Sequence, residues 1–519
     1  MFGFSLGGGL SNRFVAWWGD WRLALDFTAG RFHPKGEAGL VLAETRTSSA
    51  MVLRGNGAYA ERAAGELAIG QGAGLQVSEE VVNLFVNPTL QGLTSWSNGG
   101  DGGAILTANV GTAPDGAQSA SGLENQNAHN YGTQLYQGVA VVDTPMTISV
   151  WGYADEEVDI SLKLNDNENN RTFTLTTEMQ RFDHSGTIGP ALLGGGLGRC
   201  GFATGEDWVG KGVVVAWAQI TATGGPMPFA VGTRNADNPV MVQGAGGEPF
   251  LGYDPVGTLS GVELEDISGL DNWTTGTLLG TGTCTVDVIA GELHVTNTDP
   301  TGTGYGIAYR DWTAQAGSVY EVGGEQISGA NNNAYNMGLA NNVSPFDVFV
   351  NRSFADGAVQ FIAPHADMCL SINAPGNIPS ASRVVDNLSI QEVEPGVVIE
   401  AVGVWGNTDN QHVLRLDDGT GDNVILIRRT SVGTIKLFIA GGGVTLYDAA
   451  STVAWPDGIE ATFRLEITDT DGGCFFAVFL DDVYLEDMLP GALDYPSAID
   501  QLNLAVVSGV KTLKSLKMR

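Results

Sequence analysis

Cysteine is scarce in this chain, which has 4 among 519 residues. Cys200, Cys284, Cys369 and Cys474 lie far apart and form no C-x-x-C pair. Zinc sites and disulfide frameworks in small domains need closely spaced cysteines. The spacing therefore predicts buried free thiols.

Basic residues are also few, with Lys+Arg 25 against Asp+Glu 58 and a formal net charge of −33. Such a chain repels a phosphate backbone, so we expect neither a nucleic-acid partner nor an anionic membrane. No apolar run approaches the roughly 20 residues that span a bilayer, so no membrane insertion is expected. The first residues, "MFGFSLGGGLSNRFVAWWGDW", lack a basic segment ahead of their apolar residues, so no secretory signal is expected.

Catalytic motifs are missing as well. The 6 histidines show no H-x-x-x-H spacing, and neither a G-x-S-x-G nor a Walker pattern occurs. Two carboxylates would suffice for a glycosidase, and acids are abundant, so that alternative stays open. The sequence nevertheless predicts a protein that is not an enzyme and has no cofactor, with a structural calcium ion as an open alternative.

Glycine, in contrast, is abundant, with 73 residues beside 43% hydrophobic and only 16% charged residues. Glycine supplies the positive φ of tight turns, so this composition is typical of many short strands. "VDISLKL" (158–164) and "RTFTLTT" (171–177) alternate polar and apolar residues around a polar turn, as in a hairpin. The chain is therefore expected to be all-β.

An internal repeat organises the middle of the chain. "GLTSW" (92–96) recurs as "GLDNW" (269–273), and "VVVAWAQI" (213–220) has a counterpart in "RVVDNLSI" (383–390). The matched start, end and length predict two copies of one β-sandwich of jelly-roll type. The strand-rich remainder predicts a further sandwich, closer to concanavalin and laminin-G modules.

Four regions result from this division. They are an N-terminal region (1–80), a first jelly roll (81–245), a second jelly roll (246–395) and a C-terminal concanavalin-like β-sandwich (396–519).

Roughly residues 20–240, which contain the junction between the first two regions, resemble a family of tailed-phage fibre and appendage proteins. In these, a "GLLVEEARTNL"-like segment leads into a carbohydrate-binding-module-like jelly roll. The segment matches at Gly74, Leu75, Val77, Glu79, Glu80, Asn83 and Leu84. The family's module ending matches at Ala218, Gln219, Pro226, Gly232 and Asp237, whereas Phe229 and Ala230 replace its Tyr-Ile pair.

The resemblance implies a virion structural protein, a fibre, spike or decoration, that docks through residues 1–80 and attaches to host-surface glycans. Its partners would be other virion proteins and those glycans, and a homo-oligomer such as a trimer is expected. Removal of residues 1–80 is expected to leave a soluble protein. The alternatives are a secreted or cell-surface bacterial glycan-binding protein, or a purely structural capsid or tail decoration.

Glycan binding needs flat aromatic rings with polar groups around them. Trp208, in the polar stretch "GEDWVG", is the first candidate, and Trp405 and Trp455 are further ones. The alternative is that the tryptophans fill sandwich cores. The repeat equivalents Trp96 and Trp273 are expected to be structural.

Calcium binding is a second possibility, because binding modules of this type often hold a structural ion through oxygen ligands. Asp386 in "RVVDNLSI" is the candidate ligand. The acidic stretches "LDDGTGDN" (416–423) and "TDTDGG" (468–473) fit hairpin turns better than an ion site, because turns favour Asp and Gly.

Overall fold

The computed structural model describes residues 23–29, 31–34, 40–56, 58–99, 104–125, 134–140, 145–164, 170–188, 197–204, 211–237, 239–243, 257–263, 273–279, 282–300, 304–329, 335–339, 348–352, 357–375, 380–471, 473–488, 492–493, 499, 501–504 and 510–518. All secondary-structure elements in these residues are β-strands, and no helix occurs among them, which confirms the all-β class. The same residues contain no helix with the length and hydropathy needed to cross a bilayer.

Eight short strands precede the first jelly roll. They are β1 (Leu23–Asp26), β2 (Arg31–Pro34), β3 (Leu40–Glu44), β4 (Ala50–Leu53), β5 (Tyr59–Arg62), β6 (Ile69–Gly70), β7 (Gly74–Ser78) and β8 (Val81–Val82). Strands β4 and β5 form a separate two-stranded hairpin.

Ten strands build the first jelly roll. They are β9 (Ser97–Gly99), β10 (Ala104–Gly111), β11 (Ala120–Asn125), β12 (Gln134–Ala140), β13 (Pro145–Ala154), β14 (Val158–Leu164), β15 (Asn170–Leu175), β16 (Gln180–Thr187), β17 (Leu197–Thr204) and β18 (Val213–Thr221). They form two antiparallel sheets of five strands, ordered β10-β11-β18-β13-β16 and β15-β14-β17-β12-β9. The inward-facing apolar residues of both sheets, such as Ile160, Phe202 and Val215, share one core.

Three strands connect the modules, namely β19 (Thr233–Arg234), β20 (Pro239–Gln243) and β21 (Thr258–Glu263). The second jelly roll follows with β22 (Thr274–Leu279), β23 (Cys284–Ile289), β24 (Glu292–Asn297), β25 (Tyr305–Thr313), β26 (Val319–Ser328), β27 (Tyr335–Leu339), β28 (Val348–Arg352), β29 (Val359–Ile362), β30 (Asp367–Asn373) and β31 (Ser382–Glu394). Its sheets are ordered β23-β24-β31-β26-β29, with β21 added on β31, and β22-β25-β30-β27-β28.

The two jelly rolls share one topology. Taken in chain order, each of the ten strands of the first copy occupies the same sheet position as the corresponding strand of the second. Trp96 and Trp273 each stand directly before the first strand of their copy, and the matched segments 213–220 and 383–390 lie in the equivalent strands β18 and β31. The repeat read from sequence is thus a repeat of fold.

The last ten strands form the C-terminal sandwich. They are β32 (Val397–Trp405), β33 (His412–Asp417), β34 (Val424–Arg429), β35 (Thr434–Gly441), β36 (Val444–Ala454), β37 (Glu460–Thr470), β38 (Gly473–Leu480), β39 (Val483–Tyr484), β40 (Gln501–Asn503) and β41 (Val510–Met518). One sheet is ordered β2-β1-β41-β32-β37-β38-β39, with β7 also paired to β41 and β6 to β7. The other is ordered β3-β20-β40-β33-β34-β35-β36.

Strands from the beginning of the chain therefore complete the C-terminal sandwich. Strand β1 pairs with the end of β41 (Leu23 with Met518), and β7 pairs with its beginning (Leu75 with Leu513). Gly74 permits the close approach, because its φ is 118° and a Cβ there would lie 2.5 Å from the carbonyl oxygen of Leu513.

The described part of the N-terminal region, residues 23–80, thus differs from the separate anchor expected from the sequence. Phe27, Leu75 and Val77 are buried in the same core as Trp405. Because β20 also pairs with β3 and β40, the sandwich draws on three stretches of the chain, with the jelly rolls inserted between them. The boundaries at 80/81, 245/246 and 395/396 stay predictions.

Removal of residues 1–80 is therefore expected to uncover the core of the C-terminal sandwich, not to leave it intact. Truncation should give aggregation, dye binding to exposed apolar surface and rapid proteolysis within residues 396–519. Leu75→Ala should lower the free energy of unfolding by about 2–5 kcal/mol, because it opens a cavity in this core. Val432→Ala, at a position 81% exposed, is the control. A truncated chain whose C-terminal sandwich resists protease like that of the full chain would contradict the assignment.

A buried lysine lies inside the same sandwich. Lys511, on β41, is 1% exposed, and its Nζ donates hydrogen bonds to the backbone carbonyls of His412 and Val413, both at 3.0 Å. Burial lowers the pKa of Lys511 to about 7. Burial, together with the charge of Lys511, lowers the pKa of His412 to about 3. These are the shifts expected where desolvation disfavours the charged form.

The contribution of Lys511 to stability should therefore rise with pH above neutrality. The unfolded chain keeps a proton on Lys511 up to an ordinary pKa of 10.5, whereas the folded chain releases it near 7. Between these values the unfolded state binds more protons, so this site adds a positive slope of at most about 1.4 kcal/mol per pH unit to the free energy of unfolding. Lys511→Met should reduce that slope in denaturant titrations at pH 7 to 10. Lys514→Met, on the same strand but partly exposed, should keep it. An unchanged slope in Lys511→Met would refute the account.

Candidate functional site

Two residues of the phage-protein resemblance, Asn83 and Asp237, connect its two segments in the structure. Asn83 donates through Nδ2 to the carbonyls of Ala218 (3.1 Å) and Ala230 (2.9 Å), and its Oδ1 accepts the backbone N–H of Ile220 at 3.1 Å. Its side chain thereby binds the segment that leads into the first jelly roll to the last strand of that module. The role of Asn83 is structural.

A second polar connection, centred on Asp237, joins these parts of the chain, and we call it the clasp. Its carboxylate accepts hydrogen bonds from Arg46 Nε (2.8 Å), Arg234 Nη2 (2.6 Å) and the backbone N–H of Ser78 (2.9 Å). All four residues are buried. A buried carboxylate is stable only when such donors surround it. The clasp therefore joins the N-terminal strands to the end of the first jelly roll.

The hairpin β4–β5 covers the outer face of the sheet β10-β11-β18-β13-β16. Its Tyr59 ring lies edge-on to Trp151 (centroids 5.9 Å apart) and to Trp217 (5.4 Å). Gln76 holds the hairpin in place by accepting the N–H of Leu53 at 3.1 Å and donating to its carbonyl at 2.7 Å. The aromatic residues of the module thus form a platform under the hairpin.

Trp217 reaches this platform through a β-bulge. The register of β13 with β18 shifts so that Val150 faces Ala218 and Trp151 faces Ala216, which leaves Trp217 as the extra residue, with φ 48°. A bulky residue in this left-handed region is strained. Its ring stacks on Phe229, with centroids 4.6 Å apart and planes 2° from parallel.

The second jelly roll has the same bulge with a different residue. Asn387, which aligns with Trp217 in the repeat, has φ 51°. Asparagine tolerates the left-handed conformation, whereas for tryptophan it costs about 1–2 kcal/mol. Because burial and stacking of a large aromatic ring contribute about 3–5 kcal/mol, packing outweighs the strain in the first copy.

A cleft of about 580 Å³ opens beside the platform, within the range of small-ligand sites. The hairpin contributes Leu53, Asn56, Ala58 and Tyr59 to its lining. The jelly roll contributes Thr112, Ala113, Pro114, Gly116, Trp151, Tyr153, Thr177, Met179 and Arg181. Aromatic surface beside amide, hydroxyl and guanidinium groups is the combination that sugar binding requires. A second cleft of about 430 Å³, lined by Met51, Glu61, Gln91, Trp217 and Phe229 among others, lies on another side of the platform.

Arg181 is the charged group of the larger cleft. Its guanidinium carbon lies 4.6 Å from the centroid of the Trp151 ring. Its Nε donates to Asp183 Oδ1 at 2.7 Å, and its Nη2 donates to Ser149 Oγ (3.0 Å) and to the carbonyl of Met227 (2.8 Å). These contacts fix the guanidinium in one position, so a ligand meets a preorganised donor.

The tryptophans expected to bind glycan lie elsewhere. Trp208 falls outside the described residues. Trp405 is 0% exposed and donates through Nε1 to the carbonyl of Ala461, and Trp455 is 6% exposed and donates to the carbonyl of Gly406. Both rings pack in the C-terminal core beside Phe463, so neither face is open to a sugar. These two fit the alternative that tryptophans fill sandwich cores.

The candidate metal ligand, Asp386, contacts a backbone N–H and lies beside an acidic residue. Asp386 Oδ1 accepts the backbone N–H of Asn387 at 2.8 Å, and its neighbour in register on β26 is Glu325. Across the described ranges, no three or more His, Cys, Asp or Glu side chains gather in a way that could hold a metal ion. Calcium binding at Asp386 stays a prediction.

Both acidic stretches form hairpin turns. "LDDGTGDN" connects β33 to β34, and "TDTDGG" connects β37 to β38. Hydrogen bonds from the Asn423 amide, and from the hydroxyl and backbone of the Thr420 turn, lower the pKa of Asp418 below its ordinary range. Its oxygens thus serve the turn, as expected for Asp beside Gly.

The cysteines are free and buried, as predicted. Burial raises the pKa of Cys284 to about 11 and that of Cys369 to about 12. Thiols in this state are poor nucleophiles.

No protein-family model and no curated protein matches this chain. A function for it therefore depends on its fold, on the resemblance over residues 20–240 and on the chemistry of the cleft.

The balance between backbone strain and ring packing at Trp217 can be tested by Trp217→Asn. The variant should relieve the backbone strain but lose the stacking on Phe229, so the free energy of unfolding should fall by about 2–4 kcal/mol in denaturant titrations. Asn387→Gly, at the equivalent bulge, is the control and should change it by less than about 1 kcal/mol. A Trp217→Asn protein as stable as the wild type would show that the platform does not support the hairpin.

Proposed function

We propose that this chain is a tailed-phage virion structural protein, a fibre, spike or decoration, that attaches to host-surface glycans through the first jelly roll. The observation that carries glycan binding is the 580 Å³ cleft, which combines the partly exposed ring of Tyr153 and the guanidinium of Arg181 with the amide of Asn56. Rings supply apolar surface for sugar faces, and the polar groups supply partners for hydroxyls.

The virion part of the proposal is supported by the resemblance and by how its residues interact. Segments 74–84 and 218–237, which match the phage proteins, contact each other through Asn83 and Asp237. A chain built from inserted sandwiches suits an appendage that presents binding loops away from its attachment point. Docking through the N-terminus would then involve the C-terminal sandwich, because β1 and β7 belong to it.

Multivalency fits the shallow geometry of the cleft. A single small site of this kind binds a glycan with a dissociation constant of roughly millimolar scale. Several copies in a homo-oligomer or on one particle would raise the avidity by about 10² or more without new contacts.

The full chain, displayed on beads, should bind host-envelope polysaccharides on a glycan array. Tyr153→Ala should weaken that binding at least about tenfold by removing a ring from the cleft. Tyr136→Ala is the matched control, because Tyr136 is a partly buried tyrosine on the opposite sheet. Detection of the chain by mass spectrometry in gradient-purified phage particles tests the virion assignment. Absence of glycan binding by the displayed chain, with the chain present in particles, would favour a purely structural decoration.

A further inference from the structure

The charge around the larger cleft differs from that of the whole chain. The chain carries 58 acidic residues against 25 Lys and Arg. Among the described residues that line the cleft there is no Asp or Glu, and Arg181 is the ionised side chain. At physiological ionic strength charges are screened over about 8 Å, so the lining and Asp183, which is ion-paired to Arg181, affect what the cleft attracts more than acids farther away do.

The second cleft offers a contrast within the same module. Its lining contains Glu61, Asp115 and Arg234, so acids and a base occur together. Both clefts share the aromatic platform, since Tyr59 and Trp151 line the first, Trp217 and Phe229 line the second, and Tyr59 contacts Trp217. Both clefts border the platform, but only the lining of the second contains acids. The platform is therefore not the reason that the lining of the larger cleft lacks them.

Arg181 keeps donor capacity for a ligand. Its hydrogen bonds to Asp183, Ser149 and Met227 use Nε and Nη2, and its Nη1 has no hydrogen-bond partner among the described residues. Asp183 offsets part of the charge but also fixes the guanidinium plane. The Nη1 group thus supplies N–H donors in a position set before the ligand arrives.

We propose that the ligand of this cleft is an anionic glycan whose carboxylate accepts hydrogen bonds from Arg181; this rests on the glycan-binding function proposed above. A charge-assisted hydrogen bond from guanidinium to carboxylate is about twice as strong as one between neutral groups. A lining without acids also reduces the like-charge repulsion that an acidic sugar would meet elsewhere on the surface. Tyr153 supplies a ring for the apolar side of the sugar, and Arg181 selects its charge.

The test measures binding of three oligosaccharides of equal length to the full chain by isothermal titration calorimetry or NMR. The probes are a galacturonate oligomer, a neutral galactose oligomer and a sulfated galactose oligomer. The galacturonate should bind at least about tenfold more tightly than the neutral oligomer, since it adds a charge-assisted bond. Preference for the sulfated oligomer over galacturonate would assign the site to sulfate esters and overturn the carboxylate assignment.

Two substitutions at Arg181 test whether its guanidinium causes the preference for galacturonate. Arg181→Gln should abolish the preference for galacturonate, and Arg181→Lys should restore part of it. Arg171→Gln is the matched control, because Arg171 also stacks on a ring, that of Phe173 at 4.9 Å, but lies outside the cleft lining. If Arg181→Gln fails to fold, Thr112→Asp tests the same point at an exposed position, where an added acid should weaken binding of galacturonate but not of the neutral oligomer.

The outcomes separate this inference from the function on which it rests. Equal binding of neutral and acidic oligomers, lost in Tyr153→Ala but kept in Arg181→Gln and Thr112→Asp, would refute the anionic ligand and leave glycan binding in place. Failure of every glycan to bind the displayed chain would refute both.

Discussion

The pairing of β1 and β7 with β41 is the constraint on which the architecture depends, because it joins the first described strands to the last. Both inserted jelly rolls must begin and end close to this sandwich. The entropic cost of closing so long a loop rises only with the logarithm of its length, so hundreds of inserted residues are tolerated. Folding is affected more, since the core around Phe27 and Leu75 cannot form until the C-terminal strand has been synthesised.

The second contact that fixes the architecture is polar. Asp237 lies between two buried arginines, and loss of its carboxylate would remove an ion pair from both Arg46 and Arg234 in a dry environment. The clasp therefore fixes where the first jelly roll returns to the sandwich, at the point where β20 enters between β3 and β40. Segments 74–84 and 218–237 are therefore held together by hydrogen bonds, although they lie far apart in the sequence.

The sequence was sufficient for features that are local. Alternation at period two gave strands, and the repeated "GLTSW" and "GLDNW" placed Trp96 and Trp273 before equivalent strands. It was insufficient where a residue's environment comes from far along the chain. A strand pattern does not name its partner, so β1 and β7 read as a separate region. The same limit affected Trp405 and Trp455, whose burial depends on tertiary packing, and the cleft, which combines residues 53–59 with residues 112–181.

The two copies show how one backbone supports two surfaces. In each, the sheet that contains the bulge also contacts the rest of the molecule. The first copy packs Trp151 and Trp217 against Tyr59 of the hairpin, and the second packs Val319, Ile362 and Val393 against Phe475 and Phe479 of β38. At the bulge itself the second copy keeps an asparagine that fits the left-handed conformation, whereas the first accepts strain in order to place a ring. Because that ring and its neighbours support the hairpin that lines the larger cleft, the residue at the bulge is one structural difference between the copies that bears on the proposed site.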